Sequence, residues 1–166
     1  MSSTFHERKS IMKNTIVFVT GFFGAPVMQT ALKIADEENL DIISLDDEIE
    51  KNDGRSVRRI CMVMGEHEYR NKEYEALKKL NESAGSRKMA ICCGDGVLHD
   101  EMSRDIILGH RLVIVGKDMS IDELWENAKA SEGSYHAFMH FGTPEEKRNA
   151  FEKLWQRQCA LFKPYI

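Results

Sequence analysis

The chain has 166 residues, of which 42% are hydrophobic and 30% are charged, a composition typical of a single globular domain. Its formal net charge of -4 argues against a nucleic-acid-binding protein, which normally carries a basic patch. The four cysteines include no Cys-x-x-Cys metal motif, so we predict free thiols and a reducing, cytoplasmic location.

The first predicted element follows a polar stretch at the start of the chain. Residues 1–13 are predicted to form a loose arm, and residues 14–166 a single domain. An apolar run at residues 15–27 follows basic residues, which is also a pattern of signal peptides. The run is too short to span a membrane and lacks a clean cleavage site. We therefore predict a buried strand at residues 16–19, ended by Gly21, and no membrane association.

Helical and strand-like segments then alternate along the chain. We predict helices at residues 26–39, from 49, at 56–64, 66–82 and 100–108, and from Ser120 and Thr143, and strands at 42–45, 89–93 and 112–115. Residues 131–143 are predicted to form a mobile loop. The alternation predicts a three-layer α/β domain around a parallel sheet of about four or five strands. Ligands of such sheets bind at the carboxyl ends of the strands.

Segments at these strand ends resemble, in order, the motifs of the shikimate kinase family of small P-loop phosphotransferases. The similar segments are GFFGA at residues 21–25, LDDEIE at 45–50, GEHEYRNKE at 65–73, CGDGV at 93–97, and the strand and helix at 113–124. The resemblance covers roughly residues 15–162. It implies a P-loop NTPase-like fold with one site for ATP and another for a hydroxylated acid.

The phosphate-binding loop departs from the pattern that the resemblance implies. A working P-loop reads Gly-x-x-x-x-Gly-Lys-Ser/Thr, and Gly21 is its first glycine here. Pro26 then replaces the second glycine and lacks an N–H, Val27 replaces the lysine, and Met28 replaces the hydroxyl residue that holds Mg²⁺. We therefore predict a degenerate nucleotide loop, with Gly21 and Gly24 kept. No cofactor is expected, and ATP and Mg²⁺ are expected only if the chain is an active kinase.

Further departures affect the same half of the implied site. Ser44 stands where the family has an acid that helps to organise Mg²⁺. His136 is the nearest match to the lid arginine that reaches the phosphates. The chain ends at Ile166, where the family continues into a strand and helix beside the adenine, so we expect a domain truncated after the lid and the following helix.

The acceptor half of the implied site is better retained. The resemblance implies that Asp46 contacts the substrate hydroxyls, and would be the catalytic residue of an active enzyme. It also implies that Arg70 binds the substrate carboxylate and that Gly94 belongs to a glycine triplet. Arg157 is the candidate for a second carboxylate-binding arginine, although Gln158 is the aligned residue. The candidate substrate-binding residues are therefore Asp46, Arg70, Gly94 and Arg157.

Other interpretations of these residues remain open. An alternative role for Asp46 is that of an acid at a helix N-terminus, where the helix dipole favours negative charge. An alternative role for Arg70 is to pair with Glu66 or Glu73. Asp95 would place a negative charge near an acidic ligand, so a neutral or cationic polyol is better tolerated than shikimate. No metal site is expected, because His136 and His140 lack an obvious third ligand.

These features predict a pseudoenzyme that has lost ATP chemistry and is kept for ligand binding, regulation or assembly. The alternatives are a divergent active shikimate kinase of aromatic amino acid biosynthesis and a structural partner subunit. The expected ligand is a small hydroxylated acid or polyol. A protein partner and a second copy of the chain are both left open.

Overall fold

A computed structural model describes residues 15–166 of the chain. The predicted arm at residues 1–13 lies outside the described residues. The strands are β1 (Thr15–Gly21), β2 (Asp41–Ser44), β3 (Lys88–Cys92) and β4 (Arg111–Val115). The helices are α1 (Val27–Glu38), α2 (Leu45–Asp53), α3 (Val57–Met64), α4 (Glu66–Glu82), α5 (Glu101–Leu108), α6 (Ile121–Ala130) and α7 (Pro144–Phe162). Short 3-10 turns lie at Val97–His99, Ala137–Met139 and Lys163–Tyr165.

The four strands form one parallel sheet in the order β2-β3-β1-β4. Side chains of β1 alternate between its faces, so Val17 packs with Ala31 of α1 on one side, and Phe18 joins the larger core on the other. Both residues are fully buried because helices cover both faces of the sheet. The predicted α/β fold with a central parallel sheet is thereby confirmed.

Several predicted boundaries were wrong by a few residues. Leu45 was predicted to end the second strand, but it begins α2, four residues before the predicted start of that helix. The reason is a cap: the Ser44 hydroxyl accepts a hydrogen bond of 3.3 Å from the backbone N–H of Asp47. Helix α1 runs from Val27, because Pro26 precedes it as the N-cap.

The two helix starts predicted from capping patterns are confirmed. Ser120 and Glu123 form a reciprocal capping box at α6. The Thr143 hydroxyl accepts from the backbone N–H of Glu146 at the start of α7, with Pro144 in the first helical position. Within residues 15–166, no helix is both long and apolar enough to cross a membrane.

Candidate functional site

The loop between β1 and α1 begins with two glycines in confined positions. Gly21 ends β1, and a Cβ there would lie 2.3 Å from the backbone oxygen of Val115. Gly24 has a φ of +95°, and its Cβ would lie 2.1 Å from the backbone oxygen of Leu124. Only glycine combines this φ with such close packing. These two residues therefore fix the path of the loop against β4 and α6.

Four backbone N–H groups of this loop donate hydrogen bonds within the chain. They run from Phe22 to the Val115 oxygen (3.1 Å), from Phe23 to the side chain of Gln158 (3.0 Å), from Ala25 to the Phe22 oxygen (2.9 Å) and from Val27 to the Ala25 oxygen (2.9 Å). Pro26 has no N–H to offer. A loop that cradles phosphate does so with its backbone N–H groups, and here these four already have protein acceptors.

A cavity of about 560 Å³, which we call the loop cavity, lies over this loop. It is lined by residues 22–29 and 92–95 and by Asn127, Ala130 and Ser131. Of the described residues that line it, none is Lys, Arg or His, and Asp95 is the one acid. The loop cavity is large enough for a small molecule but offers a polyanion no positive side chain.

Asp46 and Arg70, predicted from the resemblance, come together through Tyr69. The Tyr69 hydroxyl donates a hydrogen bond of 2.6 Å to Asp46 Oδ1, and the Arg70 guanidinium lies 4.8 Å from the centroid of the Tyr69 ring. Gly94 borders the same cluster, since a Cβ there would lie 2.7 Å from the Tyr69 hydroxyl. Burial raises the pKa of Asp46, and the neighbouring Asp95 charge adds to this effect.

Arg70 is 8% exposed and is occupied by partners from its own helix and from the segment after α6. Its guanidinium donates to Glu73, to Glu66 (2.8 Å) and to the Tyr135 hydroxyl (2.8 Å). The interpretation of Arg70 as a partner of Glu66 and Glu73 is therefore confirmed. Burial opposes the charge of Arg70, but Glu73, Tyr135, Tyr69 and Glu66 together outweigh it and raise the pKa of Arg70.

Glu73 is the acid that sequence reasoning named only as a pairing partner. It is 1% exposed, and its Oε2 has no hydrogen-bond partner among the described residues. Burial raises the pKa of Glu73 to about 8, although the Arg70 charge opposes the shift. The helical spacing of Tyr69, Arg70 and Glu73 places all three on one side of α4, which is the signal that could have identified this cluster.

Asp95 lies in the loop after β3 and accepts hydrogen bonds from three side chains. The donors are the Tyr135 hydroxyl (3.2 Å), His136 Nε2 (2.8 Å) and Gln158 Nε2 (2.7 Å). Burial opposes the ionisation of Asp95, but His136, Arg70 and Gln158 outweigh it and lower the pKa of Asp95. The segment at 131–143, predicted to be mobile, therefore contacts the acceptor loop through Tyr135 and His136. Its mobility stays a prediction.

Arg157 and Gln158 occupy different environments on α7. Arg157 is exposed and borders a cavity of about 320 Å³ that also touches Asp95, Tyr135 and Gln158, which we call the outer cavity. Gln158 is 1% exposed and reaches the cluster directly. One step along a helix turns a side chain by about 100°, so the structure brings Gln158, and not Arg157, to Asp95.

A further cavity of about 420 Å³ lies beside Asp46, which we call the Asp46 cavity. Its lining includes Asp46, Arg58, Gly94, Asp95 and Tyr135. The candidate residues Asp46 and Gly94 therefore face a space of small-molecule size. No group of three or more His, Cys, Asp or Glu side chains within residues 15–166 is placed to hold a metal ion.

Comparisons with known proteins identify the family of the chain. The chain matches the family model described as shikimate kinase over residues 29–165. It is 35% identical over 91 residues to a bifunctional shikimate kinase/3-dehydroquinate synthase of Thermotoga maritima, covering 55% of this chain and 18% of that protein. It is 30% identical over 101 residues to a shikimate kinase of Chlorobaculum tepidum, covering 61% of this chain and 51% of that protein. The chain thus spans about half the length, or less, of these curated relatives.

Solved structures agree in fold. A shikimate kinase from Acinetobacter baumannii in complex with shikimate superposes with a TM-score of 0.77 at 15% identity, covering 94% of this chain and 82% of that one. A shikimate kinase from Bacteroides thetaiotaomicron gives a TM-score of 0.76 at 17% identity, covering 90% and 82%. At these identities the likeness establishes the P-loop NTPase-like fold.

Proposed function

Because the chain belongs to the shikimate kinase family, we propose that it is a non-catalytic member of that family, which does not hold ATP or transfer phosphate. In this proposal the fold is kept for binding a small hydroxylated ligand, for regulation or for assembly. The chain needs no cofactor. Its four cysteines carry free thiols, which fits a reducing location in the cytoplasm.

The observation that carries this proposal is the state of the loop at residues 21–28. Four of its backbone N–H groups have protein acceptors, and Pro26 has none to give. No cationic side chain stands among the described residues of the loop cavity. Phosphoryl transfer depends on positioning the phosphates and stabilising their charge. The engaged N–H groups and the missing cationic side chain weaken both functions, which supports a loss of ATP chemistry.

The acceptor residues support retention of a ligand role. Asp46 and Gly94 border one cavity, and Arg70 lies behind them against Tyr69. We include Asp46, Arg70, Gly94 and Arg157 in the proposed ligand region, with Arg157 at its exposed rim.

Isothermal calorimetry with ATP and Mg²⁺ tests the proposal directly. We expect no heat of binding up to about 1 mM nucleotide, a limit that corresponds to roughly 4 kcal/mol of binding free energy. Micromolar binding that disappears when residues 26–28 are changed would overturn it. Circular dichroism of the same sample must show folded protein, so that a negative result reports on the site.

An active shikimate kinase is the second candidate function. Family membership favours it, as does the convergence of Asp46 and Gly94 on one cavity. The test is phosphorus NMR of the purified chain with ATP, Mg²⁺ and shikimate, which detects phosphorylated shikimate. Asp46→Asn is the matched control: turnover by this chain disappears in the variant, whereas turnover by a contaminating enzyme persists.

A further inference from the structure

We propose that Asp95 acts as an internal carboxylate ligand, which fills an acid-binding pocket formed by Tyr135, His136 and Gln158 and thereby keeps external acids out of it. The inference refines the proposed function. It rests on that function for one premise, which is that this region binds small molecules. It names carboxylates as the ligand class that the pocket recognises and that the native chain excludes.

The geometry of the pocket is that of a receptor for one carboxylate. Tyr135 donates to Oδ1 of Asp95, and His136 and Gln158 both donate to Oδ2, over distances of 2.7–3.2 Å. The side chain of Asp95 is 11% exposed and that of His136 is 10% exposed. Buried carboxylates are rare unless they are paired, so this set of donors compensates for the burial of the Asp95 charge.

Two of the three donors, Gln158 and Tyr135, are held in place by contacts that do not involve Asp95. The Gln158 side-chain oxygen accepts from the backbone N–H of Phe23 (3.0 Å), which leaves its amide nitrogen turned toward Asp95. The Tyr135 hydroxyl accepts from Arg70 (2.8 Å), so its own proton is free to go to Asp95. The orientation of both donors is therefore set before any carboxylate is bound, which is the property of a preorganised site.

Arg70 adds a positive charge beside this pocket. Arg70 reaches Asp95 through the Tyr135 hydroxyl, and its charge favours the ionised form of Asp95. The outer cavity borders Asp95, Tyr135, His136 and Gln158, so a small anion has a route to these donors. Removing the Asp95 carboxylate therefore leaves oriented donors beside an accessible space.

Chemical rescue tests this inference without nucleotide. Asp95→Gly removes a group that acetate matches in size, and Asp95→Ala removes a group that formate matches. We expect both variants to melt at lower temperature than the native chain. Acetate should restore most of the loss in Asp95→Gly, formate should do so in Asp95→Ala, and each anion should act less on the other variant. Hydrogen exchange at residues 131–143 should rise in both variants and fall again with the matching anion.

Three controls define the result. The controls are the native chain, Asp95→Asn, which keeps the pocket filled, and Asp118→Gly, which removes an exposed loop acid. Acetate should raise the melting temperature of these three proteins no more than chloride does at equal ionic strength. The inference is wrong if acetate and formate stabilise the Asp95 variants no more than chloride does, or stabilise the native chain equally. If Asp95→Gly is unfolded alone, refolding in acetate but not in chloride supports the inference, and failure in both overturns it. These rescue experiments contain no ATP, so their outcome is independent of the calorimetric test of ATP binding.

Discussion

Gln158 accepts a hydrogen bond of 3.0 Å from the backbone N–H of Phe23, so a side chain of α7 holds the loop that follows β1. The same amide donates to Asp95 in the loop after β3. One buried side chain thus connects the nucleotide-side loop to the acceptor-side loop. A glutamine suits this position because its amide offers both an acceptor and a donor.

The first prediction concerns this connection. Gln158→Leu keeps a similar volume but leaves the Phe23 N–H and part of Asp95 without a partner. Each unsatisfied buried group costs roughly 1–3 kcal/mol, so we expect the free energy of unfolding in urea to fall by about that amount or more. Arg157→Leu, one residue away and exposed, should change it by less than about 0.5 kcal/mol. Equal effects of the two variants would contradict the role of Gln158.

The second prediction concerns the Arg70–Glu73 pair. Arg70→Ala leaves the buried Glu73 side chain without its hydrogen-bond donor, and an unsatisfied buried polar group costs roughly 1–3 kcal/mol. Glu73→Ala should also destabilise, because Arg70 loses a buried acceptor. The double variant should cost clearly less than the sum of the single variants, since it leaves neither group without its partner. Urea unfolding of all four proteins measures this coupling, and additive costs would refute it.

The third prediction follows from the pKa of Glu73, which burial raises from 4.5 to about 8. Between these values the folded protein holds a proton that the unfolded chain releases. The contribution of Glu73 to stability is therefore complete below about pH 4.5 and is lost as the pH rises to about 8. Asp46, whose pKa is also raised, acts in the same direction.

Glu73→Gln isolates this effect because glutamine does not titrate and keeps an oxygen that can accept from Arg70. We expect the free energy of unfolding of the native chain to fall relative to that of the variant as the pH rises from about 5 to about 8. The measurement is urea unfolding at several pH values in one buffer system. A difference between the two proteins that does not change with pH would contradict the prediction.

The fourth prediction is a repair of the nucleotide loop. Pro26→Gly, Val27→Lys and Met28→Ser together restore a backbone N–H, a positive charge and a hydroxyl for Mg²⁺. We expect ATP binding to become detectable but weak, with a dissociation constant of about 1 mM or higher. The reason is that the N–H groups of Phe22 and Phe23 keep their protein acceptors. Met28→Ser alone is the control and should bind no ATP. Micromolar binding or turnover of shikimate by the triple variant would mean that those internal bonds are not a barrier.

The sequence by itself determined the fold class. Alternating strand and helix patterns identified the parallel sheet, because strands buried on both faces are continuously apolar and their helices are amphipathic. The carboxyl ends of parallel strands share one edge, and there Gly94 lines both the loop cavity, with residues 22–28, and the Asp46 cavity, with Asp46. The short motif around Arg70 also placed that residue in the correct helix.

Only the tertiary structure decided which partners these residues have. Tyr135 and His136 lie about 40 residues from Asp95 in sequence, and Gln158 lies 135 residues from Phe23. Their hydrogen bonds depend on how the segment after α6 and the face of α7 pack over the sheet edge, and no local spacing encodes that arrangement. Arg70 was expected to be free for a ligand under one interpretation and paired under another. Burial decided for the paired form, because a guanidinium removed from water needs hydrogen-bond acceptors, which the buried Glu73 and the exposed Glu66 supply here.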